Sequence, residues 1–373
     1  MQTHKIVQQY LGVHYMETHK MIETDWTKYK ADSKRIMAVG SKSFFAASRL
    51  FPERLSTPAT IIYAYCRLAD DLVDYGGGIK AIDELNDRLD AIYSGHPKNL
   101  GVDSDFAEVV KNFKIPIEYP KALIDGFLWD VEERTYDNIE QLLDYSARVA
   151  GSVGAMIALV MRVKDPDVIA KACELGVAMQ LTNIARDIGE DANIGRLYLP
   201  RNWLKQEGIC PDNFLKNPKY NDRIKRITKR LIDYAENFYI NSDQAIRVLP
   251  WDCRSAIFAA RLIYADIGKK ISLNKYNSID NRAVVSLSRK LCLILKSYFL
   301  GSFPGFLRFN KPARVNLVDS IAFLVDPIRN LYKGRCSTKP LGFFQRVHWV
   351  IDLFLKLEAR NRYQLAHPRH PPR

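Results

Sequence analysis

The 373-residue sequence predicts an all-α protein. Two observations carry this reading. Apolar residues recur at three- and four-residue spacing in DELNDRLDAIY, DVIAKACELGVAMQLTNIARDI and RIKRITKRLIDYAENFYINSDQAI. Convincing apolar–polar alternation of the kind a half-buried strand needs is absent, and proline and glycine breakers fall between the periodic segments.

Taken in order, residues 1–24 read as an N-terminal helical segment and residues 25–290 as one helical body. Pro52 and Pro58 precede the helix that holds IIYAYCRLADDLVD, and Gly76, Gly77 and Gly78 end it. The helix of DELNDRLDAIY stops before Gly95 and Pro97. Pro116 and Pro120 open a segment that runs into DVEERTYD, where Asp130 and Glu133 read as surface or capping residues. YSARVAGSVGAMIALV follows, rich in small residues that suit either close helix packing or room for a long ligand. Pro200, Pro211 and Pro250 punctuate the helices after that. Residues 291–373 form a basic extension that mixes apolar runs (LCLILKSYFL, IAFLV, HWVIDLFLKL) with scattered cations. No internal repeat is evident.

The charge is unevenly placed. The net charge is +13; from Arg289 onward 16 basic residues face 4 acidic ones, so the tail carries 16 − 4 = +12 and the rest 13 − 12 = +1. Amphipathic helices of that composition suit a surface of anionic lipid, or else dock on the body as ordinary helices. The large aliphatics between the cations, and the lack of any recognition motif, argue against nucleic acid. Cys66, Cys173, Cys210, Cys253, Cys292 and Cys336 are widely spaced with no C-x-x-C pair, which reads as reduced thiols. The first 30 residues hold no apolar run of signal-peptide length, and no 18-residue stretch is continuously apolar. The expectation is a cytoplasmic protein with peripheral attachment to a membrane.

The chemistry is carried by two acidic stripes. Tyr63, Arg67, Asp70 and Asp74 lie at offsets 0, 4, 7 and 11, an arc of roughly 60° on a helix that turns about 100° per residue. Gln180, Asn183, Asp187 and Asp191 lie at offsets 0, 3, 7 and 11 and make a second narrow stripe, on a helix whose other faces are apolar. Asp71 and Glu190 fall off the stripes. Facing each other across a cavity, so many oxygens would repel one another without a cation. Magnesium fits, because it accepts hard oxygen ligands, keeps several waters and takes further ligands from phosphate; manganese and calcium have the same preference. A diphosphate substrate follows, with Lys42, Arg67 and Arg186 adding positive charge for its oxygens.

These segments resemble the squalene and phytoene synthase family, the head-to-head prenyl diphosphate synthases. Five blocks match in order: SKSF (Ser41–Phe44), YAYCRLADDLVD (Tyr63–Asp74), YSARVAGSVG (Tyr145–Gly154), QLTNIARDIGEDANIGRLYLP (Gln180–Pro200) and ARLIYADIG (Ala260–Gly268). Within the family the wording is most similar to the bacterial phytoene-forming members. The tail after about 290 lies outside the resemblance.

The resemblance implies an isoprenoid (terpenoid) synthase fold, a single helical bundle around a central cavity. It implies a prenyltransferase that condenses two geranylgeranyl diphosphates to phytoene through a cyclopropyl diphosphate. The same chemistry on farnesyl diphosphate, and a non-catalytic assembly role, are the alternatives. Asp70, Asn183 and Asp187 become the expected magnesium ligands, with Asp74 and Asp191 direct or through water. Tyr63, Arg67, Tyr145 and Tyr264 are the expected catalytic residues. Ser41, Lys42, Ser43, Arg67, Gln180, Arg186 and Tyr198 are the expected diphosphate-binding residues. No NADPH is expected, and oligomeric state is left open.

Overall fold

The computed structural model describes residues 47–48, 50–74, 78–98, 101–302 and 318–332. Among them the regular structure is helical, with no strand. Residues 1–24 and the Ser41, Lys42 and Ser43 segment lie outside the described residues.

The first half of the bundle is built from α1 (Glu53–Leu72), α2 (Gly78–Tyr93), α3 (Val102–Phe113) and α4 (Glu118–Val131). Ala69 of α1, Ile82, Leu85 and Leu89 of α2, and Leu123, Ile124 and Phe127 of α4 share one apolar cluster. Helices α2 and α3 are joined by a buried two-pronged ion pair, Arg88 to Asp103, at 2.9 and 2.7 Å. Tyr65 of α1 stacks on Phe106 of α3 with centroids 4.0 Å apart. Burying that charge pair is tolerable only because both ends are fully engaged.

A continuous helix then runs from Ile139 to Val160. It comprises α5 (Ile139–Ser146), a π turn (Ala147–Gly151) and α6 (Ser152–Val160). Asn138 caps it by accepting from the Gln141 N–H at 3.0 Å, while the Gln141 side chain accepts from the Asp137 N–H at 2.8 Å. By length and composition this helix could cross a membrane, but most of it is buried inside the bundle.

The central element is α7 (Pro166–Asn193), 28 residues long. Asp165 accepts from the Asp167 N–H at 2.9 Å and Pro166 takes the first helical position. Helices α6 and α7 touch backbone to backbone. A Cβ on Gly154 would collide with the Ala172 carbonyl, and one on Gly176 with the Ala150 carbonyl. Close packing therefore accounts for these two glycines, and it brings the π turn against the acidic helix.

Short helices α8 (Arg201–Gln206) and α9 (Pro211–Lys216) lead to α10 (Asp222–Ile246) and α11 (Trp251–Leu273). Asn221 caps α10 by accepting from the N–H groups of Arg223 and Ile224 at 2.9 and 3.0 Å. Arg261 of α11 holds Asp243 of α10 at 2.8 and 3.1 Å.

Helices α12 (Leu287–Ser302) and α13 (Val318–Tyr332) pack on this bundle. In α12, Arg289 grips Asp266 of α11 at 2.8 Å and Gly301 lies against Ser255, so the two helices run antiparallel. In α13, Leu324 approaches Gly151 and the Phe323 ring sits 4.8 Å from the Arg148 guanidinium. Residues 290 and 291 both lie within α12. The chain up to Asn330 is one compact unit, and Leu331–Arg373 is a second, described only at its first two residues. The five described cysteines are free thiols.

Candidate active site

The two acidic stripes face one cavity of about 450 Å³. Tyr63, Arg67 and Asp70 of α1 line it opposite Gln180, Asn183, Asp187 and Asp191 of α7. Tyr145 of α5, Tyr198 of the loop after α7 and Tyr264 of α11 complete the polar end. The rest of the wall is apolar and includes Phe51, Ile62, Phe127, Ile157, Ile246 and Leu249.

Two expected residues lie outside this lining. Asp74 sits two residues beyond the end of α1 and accepts from Arg196 at 2.8 Å. The Arg186 guanidinium turns to its neighbour and grips Asp187 at 2.7 and 2.5 Å. Asp187 is held from the other side by Arg282, at 2.9 and 3.3 Å, and Arg282 also pairs with Glu190 at 3.3 Å. On α1, Arg67 bridges Asp70 at 3.0 Å and Asp71 at 2.6 Å.

Each carboxylate answers to its surroundings. Burial, then the Asp74 charge, push the Asp70 carboxyl up to about 6. Burial, then Asp187, push Asp191 up to about 7. Asp187 is also buried, but its two arginines win and hold it below the ordinary value. Tyr63 is raised to about 12 by burial and then by Tyr264.

The tyrosine group has a centre that the sequence reading missed. Asp130, read as a surface or capping residue, lines the cavity and accepts from Tyr145 and Tyr198, each at 2.8 Å. The Tyr136, Tyr145 and Tyr198 rings pack on one another with centroids 5.2 to 6.2 Å apart. Burial raises the Asp130 carboxyl, opposed by the two phenol hydrogen bonds. A signal was present: Asp130 follows Leu123 and Phe127 of the cavity wall at seven- and three-residue offsets, on the same helix face. Arg196 was missed too, although it stands five residues after Asp191. Arg282 has no local signal at all. Glu133 is exposed, as its surface reading expects.

The donor set suits a hard cation. Asn183 Oδ1 is buried beside Asp187 without a hydrogen-bond partner, while its amide nitrogen donates to Gln180 at 3.4 Å. Asp70 and Asp191 are carboxylates that gain from a nearby positive charge. Among the described residues no three His, Cys, Asp or Glu side chains gather into a ready-made cage. A cation that takes one or two protein oxygens and completes its shell with water and phosphate needs none. An anionic head at the polar end and a long apolar tail along the remaining wall is the ligand shape that this lining accepts.

The family model for squalene/phytoene synthase matches residues 37–289. A phytoene synthase of Cereibacter sphaeroides is 47% identical over 340 residues, covering 88% of this chain and 93% of the relative. A phytoene synthase of Rhodobacter capsulatus is 42% identical over 335 residues, covering 88% and 96%. Among solved structures, a dehydrosqualene synthase with a bound ligand superposes with a TM-score of 0.69 at 30% identity, covering 73% of this chain and 96% of that one. A squalene synthase of Alicyclobacillus acidocaldarius shares the fold at a TM-score of 0.61 and 24% identity, covering 66% and 93%.

Proposed function

The chain belongs to the squalene/phytoene synthase family, and we propose that it joins two geranylgeranyl diphosphates head to head to form phytoene, by way of a cyclopropyl diphosphate. It is a prenyltransferase of isoprenoid and carotenoid biosynthesis. The observation that carries the reading is the pair of stripes on α1 and α7, facing one cavity whose remaining wall is apolar.

Asp70, Asn183 and Asp187 are the proposed ligands of magnesium, with Asp74 and Asp191 direct or through water; manganese is a possible substitute. When bound there, the metal would neutralise the diphosphate as it leaves the allylic carbon. Arg67 adds a fixed charge at the same end. Arg186 holds Asp187 in place and reaches the diphosphate only if that clasp opens. Gln180 is proposed to donate its amide N–H to the diphosphate, Tyr198 to do so only when its O–H leaves Asp130, and Ser41, Lys42 and Ser43 are proposed to close over the diphosphate. The second substrate's double bond attacks the allylic cation, and the proton lost as the cyclopropane closes goes to the diphosphate released in the first ionisation. Tyr145, whose O–H is held by Asp130, and Tyr63 with Tyr264 are proposed to hold or pass a proton near the diphosphate. A tyrosine pushed up to about 12, as Tyr63 is, acts as a donor and is a poor unaided base. The apolar wall keeps water away from the cation through the second ionisation and rearrangement.

The reaction as proposed uses no nicotinamide cofactor. Peripheral attachment of a cytoplasmic enzyme to a membrane through the basic extension, residues 291–373, completes the proposal. The likeness to a dehydrosqualene synthase favours one competing reading, the same chemistry on farnesyl diphosphate. Mass spectrometry of the products made from each prenyl diphosphate separates them. A C40 hydrocarbon from geranylgeranyl diphosphate with magnesium and no NADPH is expected. A C30 product from farnesyl diphosphate alone would refute the substrate assignment.

A further inference from the structure

Helix α13 lies beyond residues 37–289, the part of the chain that the family model matches. Four of its residues, Ile321, Leu324, Val325 and Ile328, are at most 2% exposed and fall at offsets 0, 3, 4 and 7. They make one apolar face, turned to the bundle. Two side chains show where it lands. A Cβ on Gly151 would lie 3.2 Å from Leu324 Cδ1, so this leucine fills the space over the glycine. The Phe323 ring lies 4.8 Å from the Arg148 guanidinium. Arg148 and Gly151 both belong to the π turn.

That turn needs support. Its pairing is one residue wider than in an α-helix, the Ser152 N–H donating to the Ala147 carbonyl. A return to α pairing would rotate one side of the helix against the other by about 100°. Tyr145 lies just before the turn, and the wall residues Val149, Ala150 and Val153 lie in it and after it. Its register therefore sets how the phenol stands relative to the wall. Helix α4 holds Val149, since a Cβ on Gly126 would collide with that side chain. Helix α7 holds Ala150 through Gly176. Arg148 and Gly151 are the residues that meet α13. The Arg148 guanidinium also lies 4.3 Å from the ring of Trp129, the residue before Asp130.

We infer that Phe323 and Leu324 are positioning residues of the active site: they lock the π turn from outside the cavity, Phe323 through Arg148 and Leu324 through Gly151. Neither lines the cavity. Two routes lead inward from them. Along the helix, the locked turn fixes Tyr145 against Val149 and Ala150. Across to α4, Arg148 steadies Trp129, whose neighbour Asp130 accepts from Tyr145 and Tyr198 at 2.8 Å. A ring at 323 can stack on the guanidinium, and a leucine there cannot, although it is as apolar. The consequence for catalysis rests on the phytoene-forming reading; the lock itself does not.

Two measurements on the full-length protein test this. The first uses fluorine NMR of protein labelled with 5-fluorotryptophan, without substrate, the Trp129 signal being assigned by its loss in Trp129→Phe. The signal should shift or broaden in Phe323→Leu and in Leu324→Ala, and stand at the wild-type position in Phe323→Tyr. An unchanged signal in Phe323→Leu would overturn the inference. The second is steady-state turnover of geranylgeranyl diphosphate. Phe323→Leu should lower kcat by about 10–100-fold, the cost of a small misplacement. KM should stay within about twofold, because the polar end is untouched. Phe323→Tyr should keep the wild-type kcat. Ile82→Val, in the apolar cluster of α1, α2 and α4 and away from the cavity lining, supplies a comparable fall in melting temperature and should leave kcat unchanged. A kcat for Phe323→Leu no lower than that of Ile82→Val would make α13 a structural element only and overturn the inference. A wild type that does not convert geranylgeranyl diphosphate would count against the reading of the reaction, and the fluorine signal would then decide the lock.

Discussion

Arg196, in the loop after α7, donates to the Asp74 carboxylate beyond the end of α1 at 2.8 Å. The contact ties the two acidic segments together, although 122 positions separate the residues. Burial alone would lower the Arg196 charge, but Tyr198, Asp74 and Asp130 around it hold it firmly protonated. Arg196 faces three of the site's acids, Asp74, Asp130 and Asp191.

Arg196→Met should therefore weaken substrate binding more than it weakens the fold. Both partners are partly exposed, so little stability rests on the pair. Losing a charged donor at the polar end should raise KM by about 10–100-fold. Steady-state kinetics beside a thermal melt check this; a lowered melting temperature with normal KM would assign Arg196 a structural role only.

Asp130→Asn tests the centre of the tyrosine group. The amide can still accept from Tyr145 or Tyr198, so the fold should survive. The charge that fixes both phenols is gone, and kcat should fall by about 10²–10⁴-fold, the usual range for an acid–base group. Because Tyr145 acts through the same hydrogen bond, adding Tyr145→Phe should cost little more. Losses that multiply in the double variant would show that the two residues act separately.

The raised carboxylates give a pH dependence with a definite sign. Asp70 and Asp191 titrate in the folded protein at about 6 and about 7, above the 3.8 of a free aspartate. Between those values the folded state binds more protons than the unfolded one, so stability falls as pH rises. The penalty is fully present above about 7 and relieved as the pH falls toward 4. With EDTA present, the melting temperature should rise on going from about pH 8 to about pH 5, and Asp191→Asn should flatten the curve. A melting temperature that climbs with pH over that range would show that the two carboxylates are not crowded. Asp187 acts in the opposite direction, since its arginines already depress it.

The stripes were legible in the sequence because their signal is local: offsets of three, four and seven on an apolar helix specify one face before any partner is known. The all-α class was legible for the same reason. Contacts across the bundle were not. Asp130 earns its place from Tyr145 and Tyr198, fifteen and sixty-eight positions away. Arg282 reaches Asp187 across ninety-five positions, from a segment with no periodicity to read. Arg186 looked like a cavity cation from its motif, yet the carboxylate next to it in sequence claims it. The face that α12 turns to α11 was not legible either, since apolar runs look the same whether they face a neighbouring helix or the exterior.

Titration calorimetry with an ionisation-resistant sulfur analogue of geranylgeranyl diphosphate tests the central claim, that the α1 and α7 stripes form one magnesium–diphosphate site. Affinity should rise as magnesium is added and collapse in EDTA. Asp70→Asn and Asp187→Asn should each lose about 100-fold while keeping the wild-type circular dichroism spectrum. Equal affinity with and without magnesium, or wild-type binding by both variants, would contradict the account.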